Sequence, residues 1–295
     1  MNIDNPRFPV YIVSKGRWER RPTANMLERI GVPYYIIVEE QEKELYLEKV
    51  KGTVLVLPQK YKDDYDTFWK DGDKRTGPGP ARNFAWEHSL ANGFSHHWVL
   101  DDNIESIERF NNNMKIKCVT GKPFYIMEDY VLRFSNIAQA GPGYSIFCPY
   151  SERRPPLRWN TRIYSFILIN NSIPYRWRGR YNEDTDLSIR AMKDGWCTVE
   201  FNVFLQGKRA TQTVRGGNSA EFYDKEGTSK KSRMLVEMHP DICKETIKFN
   251  RPHHQVNYKV FSENTPILKD GLLITDTINN YGMELVKRSL TTAST

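Results

Sequence analysis

The stretch His97-Trp-Val-Leu-Asp-Asp-Asn103 decides the fold. Residues 97–100 read as a buried strand, and the strand stops at two carboxylates and an amide. Three similar apolar, β-branched runs precede it, at residues 9–14, 34–38 and 53–57. Between them lie helical stretches: 23–30 closed by Gly31, a charged one over 41–50, and one over 80–91 followed by Gly93. Residues 58–79, rich in Asp, Lys, Gly and Pro, read as a long loop. Strands alternating with helices predict βαβ crossovers and an α/β fold, with a mainly parallel central sheet flanked by helices. Such a sheet takes its ligands beyond the carboxyl ends of its strands, where Ser14, Glu39 and Asp101 fall.

The second half is less regular. A helix is expected over 124–137, strands over 144–148 and 164–170, a helix over 184–193 stopped by Gly195, and a strand over 197–205. Residues 175–181 alternate strictly, which predicts a strand with Arg176, Arg178 and Arg180 on one face. A Gly- and Arg-containing loop over 206–218 leads to a helix over 229–238 that ends before Pro240. No internal repeat and no linker divides the 295 residues, so a single domain is expected.

Composition bounds the class. Hydrophobic residues make up 39%, and 13% are aromatic, too many for a disordered chain. No run approaches a membrane span, and residues 1–9 lack the apolar region of a signal peptide. Cys118, Cys148, Cys197 and Cys243 are far apart and form no C-x-x-C pair, which argues against a disulfide scaffold or zinc finger and fits the cytoplasm.

The net charge of +7 is uneven: residues 151–181 carry +6, residues 206–233 carry +4, and the rest of the chain nets −3. Arginines with aromatics between them (Trp159, Tyr164, Tyr175, Trp177, Tyr181) suit a phosphate-bearing partner with stackable rings. A solvated basic face is the plainer reading of the same run.

Three short motifs bear chemistry. Asp101-Asp102-Asn103 offers hard oxygens for Mg²⁺ or Mn²⁺, though an Asp-Asn turn after a strand is common. Gly79-Pro-Ala-Arg-Asn83 puts Arg82 in the first turn of a helix, whose N-terminus favours anions. Asn182-Glu-Asp-Thr-Asp186 opens another helix, where acids serve as capping residues or as a general base.

Taken in order, an apolar strand, "ARN" on a helix, a strand ending "LDDN" and a distal "NED" resemble the GT-A glycosyltransferases over about residues 8–205. In detail, "PVYIVSKGR" (9–17), "YIIVEEQE" (35–42), "GPGPARN" (77–83), "VLDDNI" (99–104), "YNEDTDLSIRAMKDGW" (181–196), "RGGN" (215–218) and "RPHHQVNYKVF" (251–261) resemble the TET-associated glycosyltransferases of tailed phages, a group similar to the base J glucosyltransferase.

The resemblance implies a Rossmann-like GT-A domain over 1–295: a nucleotide-sugar half over about 8–110, an acceptor half over about 120–261 and an extension over 262–295. It implies transfer of a sugar, such as glucose or N-acetylglucosamine, from a UDP-sugar to a hydroxymethylated pyrimidine in DNA, typically 5-hydroxymethylcytosine. The setting would be the cytoplasm of an infected bacterium, with no membrane, and no protein partner is inferred. Ser14, Lys15, Arg17 and Glu39 would line the uridine pocket, Arg82 would contact the nucleotide, and Asp101 would hold ribose or metal-bound water. Asp102 would bind Mn²⁺ or Mg²⁺ through the diphosphate, with His254 as the candidate histidine ligand ahead of His239 and His253. Asn103 stands where many GT-A proteins have a third Asp.

Asp184 is the candidate general base, with Glu183 as runner-up; a single displacement would invert the anomeric centre. Arg176, Arg178, Arg180 and Arg215 are candidate acceptor contacts. The competing readings are a GT-A enzyme acting on a polysaccharide, lipid or protein hydroxyl, a catalytically dead DNA-binding module, and a metal nuclease. A sugar nucleotidyltransferase is disfavoured, because only Ser14-Lys15-Gly16-Arg17 stands where its Gly-rich loop would be.

Overall fold

The structure is a computed structural model and describes residues 3–68, 76–148, 155–208, 229–248 and 250–271. Its N-terminal half is β1 (Val10–Val13), α1 (Pro22–Arg29), β2 (Tyr35–Val38), α2 (Lys43–Leu47), β3 (Thr53–Val56), α3 (Gln59–Asp63), α4 (Gly79–Ala91) and β4 (His96–Asp101). A hairpin follows, β5 (Ile104–Asn111) and β6 (Met114–Lys117), then α5 (Lys122–Val131), β7 (Ile137–Tyr144), β8 (Leu157–Trp159) and β9 (Phe166–Asn170). The chain continues through α6 (Glu183–Lys193), β10 (Cys197–Lys208), α7 (Ser229–Met238), β11 (Cys243–Lys248) and β12 (Arg251–Val256).

Among the described residues one large sheet runs in the order β3-β2-β1-β4-β9-β7-β10-β5-β6, with β8 on β10. It is the helix-flanked α/β sheet expected from the sequence. The block β3-β2-β1-β4 is parallel throughout, as is the β7–β10 pair. β9 is antiparallel to both neighbours, and β5 is antiparallel to β10 and β6. β11 and β12 form a separate antiparallel hairpin.

The parallel strands are short and apolar because helices cover both faces. All four residues of β1 are buried. The larger core joins β1, β2 and β4 to α1 and α5 through Ile12, Ile36, Leu100, Met26, Leu27, Phe124 and Met127. The opposite face is closed by α4 and α6, through Trp86, Ile167, Ile169, Trp177 and Leu187. α1 begins with Pro22, whose missing N–H costs nothing in a first turn, and its C-terminal turn is followed by Gly31 at φ 71°.

The chain passes from β1 outward through β2 to β3, then returns so that β4 lies on the other side of β1. This reversal opens a crevice at the carboxyl ends of β1 and β4. Val13 pairs with Asp101 across the two strands, so Ser14 and Asp102 leave the sheet side by side.

Several sequence expectations change. The helix expected over 124–137 ends at Val131, and Ile137–Tyr144 is a strand in the middle of the sheet. Its sequence, IAQAGPGY, lacks the β-branched signature because β7 runs closely against β9: a Cβ on Gly141 would stand 2.2 Å from the Phe166 carbonyl oxygen. The strand expected over 144–148 is a single 3₁₀ turn over Ser145–Phe147. Residues 175–181 form no strand; Arg176 is drawn to Glu87 on α4 and Arg178 to Asp186 on α6. Residues 58–79 contain the short α3. The β5–β6 and β11–β12 hairpins were not anticipated; β5 reads IESIERFN and β11 CKETIK, both too charged for an apolar-run criterion.

Gly141→Ala is expected to lower stability by about 1–3 kcal/mol, since the new methyl meets backbone. The drop in the denaturation midpoint measures it, and an unchanged midpoint would contradict the close β7–β9 approach.

Candidate active site

The crevice at the β1/β4 reversal is a cavity of about 330 Å³. Ser14, Lys15 and Arg17 enter it from the end of β1, Glu39 from β2, Asp101, Asp102 and Asn103 from β4, and Arg82 from α4. Its other wall comes from the second half of the chain: Tyr144, Tyr164, Ser165, Arg180, Glu183, Asp184 and Lys208. Ten expected site residues thus meet in one cleft: Ser14, Lys15, Arg17, Glu39, Arg82, Asp101, Asp102, Arg180, Glu183 and Asp184.

Asp101 is gripped from two sides. Its Oδ1 accepts from Arg82 Nη2 at 2.8 Å, and its Oδ2 accepts from Lys208 Nζ at 2.7 Å. Burial opposes its ionisation, but Lys208 and Arg82 outweigh burial and hold the carboxyl well below the usual carboxylate range. Lys208 Nζ also donates to Ser165 Oγ at 2.7 Å. Ser165 carries a left-handed backbone, φ 67°, a strained conformation for a residue with a Cβ.

Asp102 sits deeper. Its Oδ1 is ion-paired with Arg17, and its Oδ2 accepts from Ser14 Oγ at 3.0 Å. A serine has one hydroxyl proton, so the Ser14–Tyr46 contact at 2.6 Å must run from the Tyr46 hydroxyl to Ser14. Burial raises the Asp102 pKa, with Arg17 opposing the shift.

The acids that open α6 divide their tasks. Glu183 accepts from Arg82 Nη1 at 2.8 Å, and the guanidinium lies 4.7 Å over the Trp177 ring. Burial raises the Glu183 pKa. Asp184 keeps partial solvent exposure and faces the cleft; its Oδ1 accepts from the Thr185 N–H at 2.7 Å. Asp186 is fully buried, where it pairs with Arg190 at 2.7 Å, His239 at 2.9 Å and Arg178 at 3.1 Å. Asn182, the residue that starts this helix, is left-handed at φ 54° and donates through its amide to the Lys231 carbonyl at 2.7 Å.

The expected arginine face is not formed. Arg176 pairs with Glu87 at 2.8 Å and lies 4.6 Å over the Trp86 ring, while Arg178 pairs with the buried Asp186. Only Arg180 of the three reaches the cleft, and it is 3% exposed. Arg215 and the "RGGN" stretch lie outside the described residues.

His254 lies on β12 opposite Glu245, away from the cleft lining, and burial lowers its pKa to about 4. His239 is committed to Asp186. As arranged, the residues do not fit a divalent ion: all four oxygens of Asp101 and Asp102 face protein donors. Among the described residues no group of three His, Cys, Asp or Glu converges. Asn103 Oδ1 is buried without a hydrogen-bond partner, a single hard oxygen.

Lys208, Tyr144 and Ser165 were missed from the sequence as site residues, and Tyr164 was read only as one of the stackable aromatics between the arginines. Lys208 belongs to the basic 206–233 segment, but only the antiparallel pairing of β10 with β5, which puts Lys208 opposite Ile104, brings it to the Asp101–Asn103 turn.

No curated protein matches the chain. A solved structure described as "Crystal Structure of a Mycobacterial Protein" is similar over 88% of this chain and 83% of that one, at 8% identity and a TM-score of 0.43. That likeness is too slight to carry an argument. The model of the TET-associated glycosyltransferase family matches residues 8–217, which spans both walls of the cleft. The chain therefore belongs to the TET-associated glycosyltransferase family.

Proposed function

We propose that the protein moves a sugar from a UDP-sugar to the hydroxyl of 5-hydroxymethylcytosine, or a related hydroxymethylpyrimidine, in DNA. The observation that carries this reading is the convergence of Ser14, Lys15, Arg17, Glu39, Arg82 and Asp101 with Asp184 in one cleft of a family glycosyltransferase. Residues of about 8–110 would hold the donor and residues of about 120–261 the acceptor, in the cytoplasm of a phage-infected bacterium.

In this mechanism the uridine end of the donor occupies the strand ends around Ser14, Lys15 and Glu39. Asp184 is the base: it faces the cleft and accepts the acceptor's hydroxyl proton, whereas Glu183 is spent on Arg82. The acceptor oxygen attacks the anomeric carbon as the proton passes to Asp184. The bond from that carbon to the diphosphate oxygen breaks, and UDP leaves with the electron pair. One displacement inverts the centre. Lys208 and Arg17, both held in the cleft by carboxylates, are fixed cations beside the charge that develops on the diphosphate. No step is routed through a metal ion, because the carboxylate oxygens are already engaged.

Mass spectrometry of hydroxymethylcytosine DNA exposed to a panel of UDP-sugars, with and without Mn²⁺, is expected to show a hexose-sized mass gain. Unmodified DNA from every donor would remove the reading. Asp184→Asn is expected to keep UDP affinity and lose transfer by about 10²–10⁴-fold, the usual worth of a general base. Normal transfer by that variant would return the role to Glu183 or to the substrate. Lys208→Met is expected to cut turnover by about 10²-fold, the scale of one preorganised charge donor. Single-turnover rates at saturating donor measure it, and an unchanged rate would take Lys208 out of the mechanism.

A further inference from the structure

A second cavity, about 260 Å³, adjoins the cleft and shares Tyr144 and Tyr164 with it. Its lining is aromatic and charged. The Tyr144 and Tyr164 rings are 4.5 Å apart between centroids, and Phe147 is 5.7 Å from Tyr144. Phe147 is 60% exposed, so its ring is open to a ligand entering the cavity it lines. Arg162 lies 5.0 Å over the Tyr164 ring, and Arg158 stands 4.0 Å from Glu200 at the rim.

This combination has a specific chemical match. Flat aromatic walls take a flat aromatic ligand by stacking. A pyrimidine edge carries both N–H donors and ring acceptors; a carboxylate such as Glu200 accepts from the first, and guanidinium groups such as Arg158 and Arg162 donate to the second. The cavity falls below the usual 300–1,000 Å³ range of drug-sized ligands, which fits a single base better than a larger group. It also lies within electrostatic reach of the proposed base, since Asp184 acts on Arg162. The Tyr144 hydroxyl shares a 2.5 Å hydrogen bond with Ser165 Oγ, which in turn accepts from Lys208, so the dividing wall is tied into the cleft's own charge network.

We propose that this second cavity receives the acceptor's pyrimidine base, turned out of the nucleic-acid stack, with its hydroxymethyl group directed past Tyr144 and Tyr164 toward Asp184. The inference rests on the transferase reading above and adds the place where the base is held. A base inside a helical stack cannot enter such a cavity, so the strand must present it unstacked.

The test is binding and needs no turnover. A fluorescein-labelled single-stranded oligonucleotide carrying one 5-hydroxymethylcytosine is compared by anisotropy with the same strand bearing an abasic site there. The wild-type protein is expected to bind the base-containing strand about tenfold more tightly, the scale of one base–aromatic stack. Phe147→Ala and Glu200→Gln are each expected to erase most of that preference while UDP affinity, measured by calorimetry, stays within about twofold. Equal binding of the two strands by the wild type, or a preference that survives in both variants, overturns the proposal. A preference that the variants lose, without sugar transfer by the wild type, supports the base cavity and overturns the transferase reading instead.

Discussion

The paired grip on Asp101 holds the site together. Its carboxylate binds Arg82 from α4 and Lys208 from β10, and Arg82 extends the chain of charge to Glu183 on α6. Three distant segments meet at one acidic group at the end of β4. A buried ionic cluster of this kind adds little net stability against an apolar alternative, but removal of one member leaves a buried charge without its counterpart. Its value here is positional: Arg82 holds Asp101 and Glu183 at once, so the end of β4 and the start of α6 are tied to each other.

The sheet makes that grip available. Reversal of strand order at β1 opens the crevice between β1 and β4, and the antiparallel return of β10 against β5 brings Lys208 to its edge. The left-handed residues Ser165 and Asn182 stand on the same wall, one accepting from Lys208 and the other opening the helix that carries Asp184. Strained backbone of this type persists only where surrounding contacts over-determine it, and it concentrates at working sites.

The N-terminal half was largely legible in the sequence. Short apolar runs, glycines after helices and acids at strand ends are local signals, and they placed β1, β2, β3, α4 and β4 to within a residue or two. The C-terminal half was less so. β7 hides behind Ala, Gly and Pro because a central strand pressed against β9 needs small residues more than β-branched ones. The arginines at 176 and 178 alternate as a nucleic-acid face would, yet they answer a half-exposed acid at position 87 and a buried one at 186. Charge along a chain is visible in its letters; the partner that neutralises it is not. His254 fell outside the cleft for the same reason, since its strand pairs within a hairpin whose position depends on packing.

The sequence alone determined the parallel βαβ order, the carboxylates at the β4 end, Arg82 at the head of α4 and the acids that open α6. These rest on neighbours within a turn or a strand, where local physics suffices. The tertiary structure decided which of those acids are free to act. Glu183 is held by an ion pair formed across 101 residues with Arg82, and Asp186 by a contact formed across 53 residues with His239, while Asp184 lines the cleft with partial solvent exposure and no arginine partner of that kind among the described residues. It also decided that Lys208, 107 residues from Asp101, completes the site, because only the closing of the sheet brings that cation to that carboxylate.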